Sequence, residues 1–258
     1  MRIRKLSLEE WFLYYQLRHI DREHCHLPAW IEVNIRHLFQ HYQGHTLPIS
    51  FILIKALALT LKQDPAFNRQ FVHSLWGPRL IESDAGHINL PVLIREQGQN
   101  YLTAMVLKDA DQKTVWQIQN EVRQFRKQRV QDLPVGKYIF KRPNHFLNRL
   151  RLRVIYQLVS HVPQLQVKFG AGMASVSSLL NTDHQGTTVC IVGRGPGAIS
   201  LTACQFNPDT GQMYLSLAFD HYALSGIQMI QASQTLTRIL ENKLLPGSLL
   251  EHLTESDV

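Results

Sequence analysis

The sequence is poor in cysteine and in long hydrophobic runs, and each shortage excludes a class of protein. Its three cysteines are odd in number and far apart along the chain, so we expect no disulfide framework and take a reducing cytoplasm as the default compartment. The longest apolar stretch, 49–61, is interrupted by three polar residues and is shorter than the roughly 20 residues that a membrane-spanning helix needs. Residues 1–10 lack the apolar centre of a signal peptide.

Acidic residues are also fewer than basic ones. The chain has 258 residues with 27 Lys+Arg against 20 Asp+Glu, a formal net charge of +7. This balance suits an acidic partner such as nucleic acid, a phosphate-bearing cofactor or an acidic protein. Because 45% of the residues are hydrophobic, an intrinsically disordered chain is excluded. We find no internal repeat and no break in composition, so we expect one α/β domain over residues 1–258.

Hydrophobic periodicity predicts a mixture of helices and strands. Helical spacing predicts helices over residues 8–20, 50–62, 113–128, 145–161 and 225–243. Alternation and β-branched content predict strands over 29–36, 101–107, 174–179, 188–192, 198–206 and 213–219, with further short strands in 72–96. Residues 207–211 have the composition of a turn that joins two strands into a hairpin.

The most informative local feature is an Asp-His pair between a predicted strand and a predicted helix. Asp220 and His221 follow the strand 213–219, and the next helix begins at Ser225. An imidazole that titrates near neutrality can take a proton from a thiol or hydroxyl and return it. His221 is also one of 13 histidines, and from the local sequence alone a histidine packed at a strand edge is the simpler interpretation.

Residues 220–226 resemble the D-H-R-x-x-D-G signature of the catalytic domain of dihydrolipoyl acyltransferases, the core subunits of 2-oxo acid dehydrogenase complexes. They also resemble the H-x-x-x-D-G motif of chloramphenicol acetyltransferase and of peptide condensation domains. Five further segments are similar to the acyltransferases in the same order: 27–30 (I-P-H-F), 51–68 (an apolar helix, then H-P-x-x-N), 106–111 (V-I-R-D-A-D), 175–179 (T-(I/V)-S-N/S-L) and 189–193 (A-I-L-G-V-G). The resemblance implies a chloramphenicol acetyltransferase-like α/β fold, a mixed β-sheet flanked by helices in two layers.

The resemblance also implies a mechanism. In that family the motif histidine is the general base that deprotonates the acyl acceptor, a role that falls to His221. A serine of the T-(I/V)-S segment donates to the oxyanion that forms from the thioester carbonyl, and Ser177 matches it; an ordinary strand serine is the competing interpretation. The family's active site lies between subunits of a trimer, where coenzyme A and the second substrate enter a channel from opposite sides. We therefore expect a homotrimer with a thioester co-substrate and no bound cofactor.

The sequence departs from the family pattern beside the histidine. Ser225 stands where the family usually has an aspartate that pairs with an arginine of the first helix, for which Arg18 is the nearest candidate. A serine cannot form that ion pair, but it can cap the helix that follows it. Tyr222 replaces the family's usual arginine. We assign supporting roles to Asp220, Ser225 and Arg18, and the departures favour either an altered substrate or a catalytically inactive trimeric scaffold or binding protein.

The sequence shows no lipoyl domain, no subunit-binding domain and no Ala/Pro-rich linker ahead of the catalytic region. We therefore expect a stand-alone acyltransferase of specialised metabolism. Its donor would be acyl-coenzyme A or an acyl group on a separate carrier or lipoyl protein. Its acceptor would be a small molecule with a thiol, amine or hydroxyl group.

Three other patterns point to functions that we consider weaker. Residues 24–26 (His-Cys-His) suggest a metal, but no second ligand cluster has a recognised spacing, so we expect surface or loop histidines and no metal site. The alternating glycines of 193–197 resemble a phosphate-binding loop, yet a strand rather than a helix follows, so we expect a tight turn between strands. Basic residues in 123–129 and 149–153 lack a nucleic-acid-binding module and favour solvated helix faces.

Overall fold

The structure is a computed structural model, and it describes most but not all of the chain. The described residues are 8, 10, 11, 14, 15, 24–41, 48–74, 76–133, 145–165, 172–180, 190–195 and 197–241. The five that fall in the predicted first helix, 8–20, are helical. Arg18 lies outside the described residues.

A six-stranded sheet forms the centre of the fold. The described residues form eight strands: β1 (His26–Asn34), β2 (Arg69–Ser74), β3 (Gly77–Glu82), β4 (Ile88–Glu96), β5 (Gln99–Leu107), β6 (Ala174–Ser178), β7 (Ile199–Phe206) and β8 (Gln212–Asp220). The main sheet has the order β1-β8-β7-β6-β4-β5, and β2 and β3 form a separate hairpin. Strand β6 runs parallel to β4 and β7, whereas the other pairs are antiparallel. The expected mixed sheet is confirmed.

Five helices have both ends within the described part of the chain. They are α1 (Arg36–His41), α2 (Ile49–Gln63), α3 (Val115–Arg126), α4 (Phe146–His161) and α5 (Gly226–Leu240). Helix α2 ends because Asp64 adopts an extended backbone conformation, with φ −142° and ψ 122°. Asp64 precedes Pro65, and helical geometry is disfavoured for a residue before a proline. None of the described helices combines the length and apolarity needed to cross a membrane.

The core lies between one face of the sheet and helices α2 and α5. Leu53 and Leu57 of α2 and Leu236 and Leu240 of α5 are each at most 1% exposed, and burying a side chain of this size stabilises a fold by about 1.5–3 kcal/mol. Lys55 is buried among them, and its ammonium donates hydrogen bonds to the backbone oxygens of residues 111 and 113 at 2.8 and 2.7 Å. Burial lowers the pKa of Lys55 to about 8.

One strand prediction is wrong for the residues that can be checked. Residues 190–192 of the predicted strand 188–192 are not in a strand. The neighbour of β6 toward β8 is β7 instead, in a register that pairs Ser177 with Thr202. Strand β7 is buried on both faces over its first six residues, which makes it the more favourable central strand. The strand expected from the similarity of residues 189–193 to the family's A-I-L-G-V-G segment is therefore not formed by the described residues 190–193.

The predicted hairpin between β7 and β8 is confirmed. The backbone N–H of residue 207 donates to Gln212, and Asn207 accepts from the N–H of Gly211 at 2.9 Å. Gly211 has a φ of 74°, a left-handed conformation that costs glycine little and other residues more. The hairpin sets the length of β8 and so the position of the Asp-His pair at its far end.

Candidate active site

A buried carboxylate anchors the turn that carries the candidate base. Asp220 is 0% exposed at the end of β8. One of its oxygens lies 2.6 Å from Nδ1 of His24, and the other accepts the backbone N–H groups of Cys25 and Tyr222 at 3.2 and 3.1 Å. A buried carboxylate with three donors holds its surroundings firmly, since losing any one of them leaves a charge less compensated. Asp220 therefore links Tyr222, the residue after His221, to residues 24 and 25 at the start of β1.

His221 is presented to the surface by this turn with a defined tautomer. Its backbone N–H donates to the oxygen of Cys25 at 2.7 Å, and its ring Nδ1 lies 3.0 Å from the oxygen of Leu224. A carbonyl can only accept, so Nδ1 carries the proton and the neutral ring keeps its lone pair on Nε2. The side chain is exposed. Nε2 is thus the atom that can accept a proton from a substrate.

Ser225 begins the helix that follows, as predicted. Its hydroxyl accepts the backbone N–H of Gln228 at 3.4 Å, and its own N–H donates to the side chain of Gln228 at 2.9 Å. The pair forms a capping box for α5, which satisfies two backbone donors at the helix start. The proposed partner Arg18 is outside the described residues, so its pairing stays a prediction.

An aromatic group borders the turn on the side of the β2–β3 hairpin. The ring of Tyr222 lies 5.0 Å from that of Phe71 and 6.2 Å from that of His73, measured between centroids. His161, at the end of α4, contacts the oxygen of His73 at 2.7 Å. Tyr222, which is exposed, therefore gives the turn beside the candidate base an aromatic surface.

Ser177 lies on a different part of the sheet, among hydroxyl groups. Its register partner on β7 is Thr202, whose own partner on β8 is Ser216. The Ser177 and Thr202 side-chain oxygens are 2.8 Å apart. Val176 and Leu201, the preceding residues of the two strands, belong to the core. Because side chains alternate along a strand, the hydroxyls project from the face of the sheet that lies opposite α2 and α5.

Residues 190–195 lie across this hydroxyl-bearing face. The Ser216 hydroxyl donates to the oxygen of Ile191 at 2.6 Å, and the N–H of Gly193 donates to Thr202 at 3.3 Å. A side chain at Gly195 would overlap the hydroxyls of Ser175 and Ser200. The glycines are thus required for close approach to the sheet. The expected tight turn between strands is replaced by a segment that covers the sheet.

Within one chain, Ser177 and His221 do not come together. Ser177 is level with Ser216, five residues before His221 and two strands away. A rise of about 3.3 Å per residue and a strand spacing of about 4.8 Å place the two about 16 Å apart along the strands and about 10 Å across them. The two candidate catalytic groups therefore belong to separate regions of the molecule.

Two polar groups of this region were not found by sequence reasoning. His24 was expected at the surface, but it is 9% exposed and pairs with Asp220, from which 196 residues separate it. Thr202 was only a strand residue. The His-Cys-His pattern at 24–26 suggested only a metal ligand, and no local motif pointed to the pairing of His24 with Asp220 or to a role for Thr202. The residues that the structure describes contain no group of three or more potential metal ligands.

Burial changes the acidity of two groups near the 190–195 segment. His26 lies 3.2 Å from the oxygen of Gly195 through its Nε2, and its pKa is lowered from the usual value chiefly by burial. Burial, together with the neighbouring Cys204 thiol, raises the pKa of Cys190 to about 11. At neutral pH both side chains are therefore mainly uncharged, in keeping with the neutral character of the hydroxyl-bearing face.

Comparison with known proteins identifies the fold. No protein-family model matches the chain, and no curated protein matches its sequence. Solved structures do match. The cubic core of a pyruvate dehydrogenase multienzyme complex has a TM-score of 0.63 at 18% identity, over 94% of this chain and 92% of that one. A truncated catalytic core of the 2-oxoacid dehydrogenase complex from Thermoplasma acidophilum has a TM-score of 0.63 at 15% identity, over 95% and 100%.

A third match is dihydrolipoamide acetyltransferase from Azotobacter vinelandii, with a TM-score of 0.61 at 17% identity over 94% of this chain and 92% of that one. In that enzyme a serine, a histidine and an asparagine four residues after the histidine have been investigated for their roles in catalysis. Together the matches show that the chain has the fold of the catalytic core of 2-oxoacid dehydrogenase acyltransferases.

Proposed function

We propose that the protein is an acyltransferase that moves an acyl group from a thioester to a thiol, amine or hydroxyl acceptor, with His221 as general base. The observation that carries the proposal is the contact of the His221 Nδ1 with the oxygen of Leu224. This contact leaves Nε2 of an exposed ring able to accept a proton. The preceding residue, Asp220, is held at the end of β8 by three hydrogen bonds. An imidazole held in this orientation suits proton transfer with a substrate.

The reaction follows from these groups. Nε2 of His221 takes the proton from the acceptor as the acceptor attacks the thioester carbonyl. The carbonyl oxygen becomes an oxyanion, and the Ser177 hydroxyl donates to it. When the tetrahedral intermediate collapses, the carbon–sulfur bond breaks and the imidazolium returns its proton to the departing thiolate. No charge or proton is left on the protein at the end.

A second copy of the chain is needed for this chemistry. Because sheet register separates Ser177 from His221 within one chain, we propose that His221 of one subunit meets Ser177 of the next, in a homotrimer. The serine, histidine and asparagine investigated in the Azotobacter vinelandii enzyme support the choice of these two residues. Ser225 is four residues after His221, the same offset as that asparagine has from its histidine.

We propose coenzyme A or a separate acyl-carrier or lipoyl protein as the thioester donor. Both kinds of donor are acidic, and the chain carries a net charge of +7, which favours their approach. Tyr222 stands where the family motif has arginine, and its ring packs beside those of Phe71 and His73. This aromatic surface supports a small-molecule acceptor outside the dehydrogenase reactions. We assign the protein to specialised metabolism in the cytoplasm on this basis and on its low cysteine content.

The test is thioester turnover by the purified protein. A panel of short acyl-coenzyme A thioesters would be mixed with thiol, amine and alcohol acceptors, while released thiol and product mass are followed. We expect His221→Ala to lower kcat by roughly 10²–10⁴-fold, the usual contribution of general acid–base catalysis. His145→Ala, which removes another exposed histidine ahead of α4, is the matched control and should keep full activity.

Other outcomes would contradict the proposal. Full turnover by His221→Ala would remove this residue from the mechanism. Trimers without turnover from acyl-coenzyme A, acyl-carrier protein or acyl-lipoyl protein would instead support the inactive scaffold, for which Ser225 in place of the motif aspartate is the motivating observation.

A further inference from the structure

We propose that Thr202 is a positioning residue that turns the hydroxyl proton of Ser177 away from the sheet, toward the oxyanion of the reaction. This inference rests on the proposed function and adds to it a residue outside the motifs matched above. It starts from two contacts. The side-chain oxygen of Thr202 lies 2.8 Å from that of Ser177 and accepts the backbone N–H of Gly193 at 3.3 Å.

Burial decides which hydroxyl donates to the other. Each hydroxyl has one proton, and either could donate across the 2.8 Å contact. Thr202 is 2% exposed, whereas Ser177 is only half-buried. If Ser177 donated to Thr202, the buried threonine proton would have no acceptor among the residues that the structure describes, and an unpaired buried donor is costly. Thr202 therefore donates to Ser177, and the Ser177 proton is available on the more accessible side.

The result is a directed series of hydrogen bonds. The N–H of Gly193 donates to Thr202, Thr202 donates to Ser177, and Ser177 donates to the developing oxyanion. Successive donors polarise one another, so each bond strengthens the next. Catalysis benefits because the donor is already oriented before charge develops on the substrate. A side chain at residue 193 would come 2.8 Å from the Thr202 oxygen, so the glycine allows the backbone to reach it.

The inference is tested by removing the threonine hydroxyl while keeping its shape. Thr202→Val preserves the β-branched side chain that suits a strand, and thermal unfolding checks that it folds. We expect kcat to fall roughly tenfold with KM unchanged, about the effect of one hydrogen bond. Thr202→Ser restores a hydroxyl and should recover most of the rate.

Ser200→Ala is the matched control. Ser200 is on the same strand and the same face, two residues before Thr202, and is 3% exposed. Its hydroxyl has no hydrogen-bond partner among the described residues, so its removal should leave kcat unchanged. An equal loss of rate in Ser200→Ala and Thr202→Val would mean that any change in this buried layer slows the enzyme, and would overturn the inference.

A double-mutant comparison separates positioning from structure. Ser177→Ala should lower kcat by roughly 10²–10³-fold, as for other oxyanion donors, and Thr202→Val should then have no further effect, because the hydroxyl that it orients is absent. An undiminished tenfold loss in the Ser177→Ala background would contradict the inference. So would full activity of Thr202→Val while His221→Ala and Ser177→Ala are both impaired. If His221→Ala is fully active, the proposed function itself fails.

Discussion

The turn around His221 and the strand face around Ser177 are built on different physical principles. At the turn, the buried carboxylate of Asp220 accepts hydrogen bonds from a histidine ring and two backbone N–H groups. At the strand face, neutral hydroxyls contact each other and a backbone segment packed against the sheet. The first region depends on a charge that must stay compensated, and the second depends on close packing of small groups.

The comparison shows why one region can hold a base and the other a donor. A base must keep its tautomer and orientation while it gains and loses a proton, and the hydrogen-bonded Asp220 beside His221 provides a stiff support for this. An oxyanion donor must be oriented but must not be engaged by a stronger acceptor. A neighbouring hydroxyl that donates to Ser177 meets this condition, whereas a carboxylate in its place would bind the serine proton itself.

The largest expected effect is at the charged region. Asp220→Ala removes the common acceptor of His24, Cys25 and Tyr222, and should lower the free energy of unfolding by about 3–5 kcal/mol. Urea unfolding followed by circular dichroism at fixed protein concentration measures it. Asp209→Ala, in the exposed hairpin turn, is the control and should stay within about 0.5 kcal/mol of wild type. Equal losses in both variants would show that the carboxylate does not anchor the turn.

The packed region should respond to added volume. Gly195→Ala places a methyl group against the hydroxyls of Ser175 and Ser200, and should destabilise the protein by about 1–3 kcal/mol. Gly226→Ala is the matched control, since a side chain there meets nothing within 4 Å. The same urea experiment applies. If Gly195→Ala is as stable as Gly226→Ala, residues 190–195 are not closely packed on the sheet and the contrast between the two regions fails.

The smallest effect should come from the helix cap beside the base. Ser225→Ala removes the capping hydroxyl of α5 and should cost about 1 kcal/mol in unfolding free energy. Ser225→Asn keeps a capping side chain and should remain close to wild type. The same two variants in the turnover assay would sharpen the comparison, because a loss of rate in alanine that asparagine restores would connect the cap to the orientation of His221. If Ser225→Ala were as stable as wild type, the assignment of Ser225 as the cap of α5 would be contradicted.

Much of the fold was predictable because its elements have strong periodic patterns. The predicted helix 50–62 corresponds to α2 (Ile49–Gln63), and the predicted strand 213–219 to β8 (Gln212–Asp220). The error at 188–192 has a physical cause. Val189, Cys190, Ile191 and Val192 are apolar enough for a strand, but the backbone of 190–195 is directed to the hydroxyl-bearing face, where its hydrogen bonds go to side chains of β7 and β8.

The candidate site was predictable only in part. His221 and Ser225 lie in one short motif, so both could be recognised from the sequence by residue type and spacing. The predicted helix-capping role of Ser225 is confirmed. His24 could not be assigned because its partner Asp220 is 196 residues away. The roles of His221 and Ser177 stay predictions until turnover is measured.

The sequence by itself determined the α/β class of the fold, because alternation and helical spacing are local properties of the chain, and its resemblance to the acyltransferase motif singled out His221 as the candidate base. Only the tertiary structure decided what surrounds them. It buried Asp220 against His24, brought Thr202 beside Ser177 and set residues 190–195 across the sheet. The reason is that these contacts join strands far apart in sequence, and the register of a sheet, not the pattern of any one strand, determines which side chains meet.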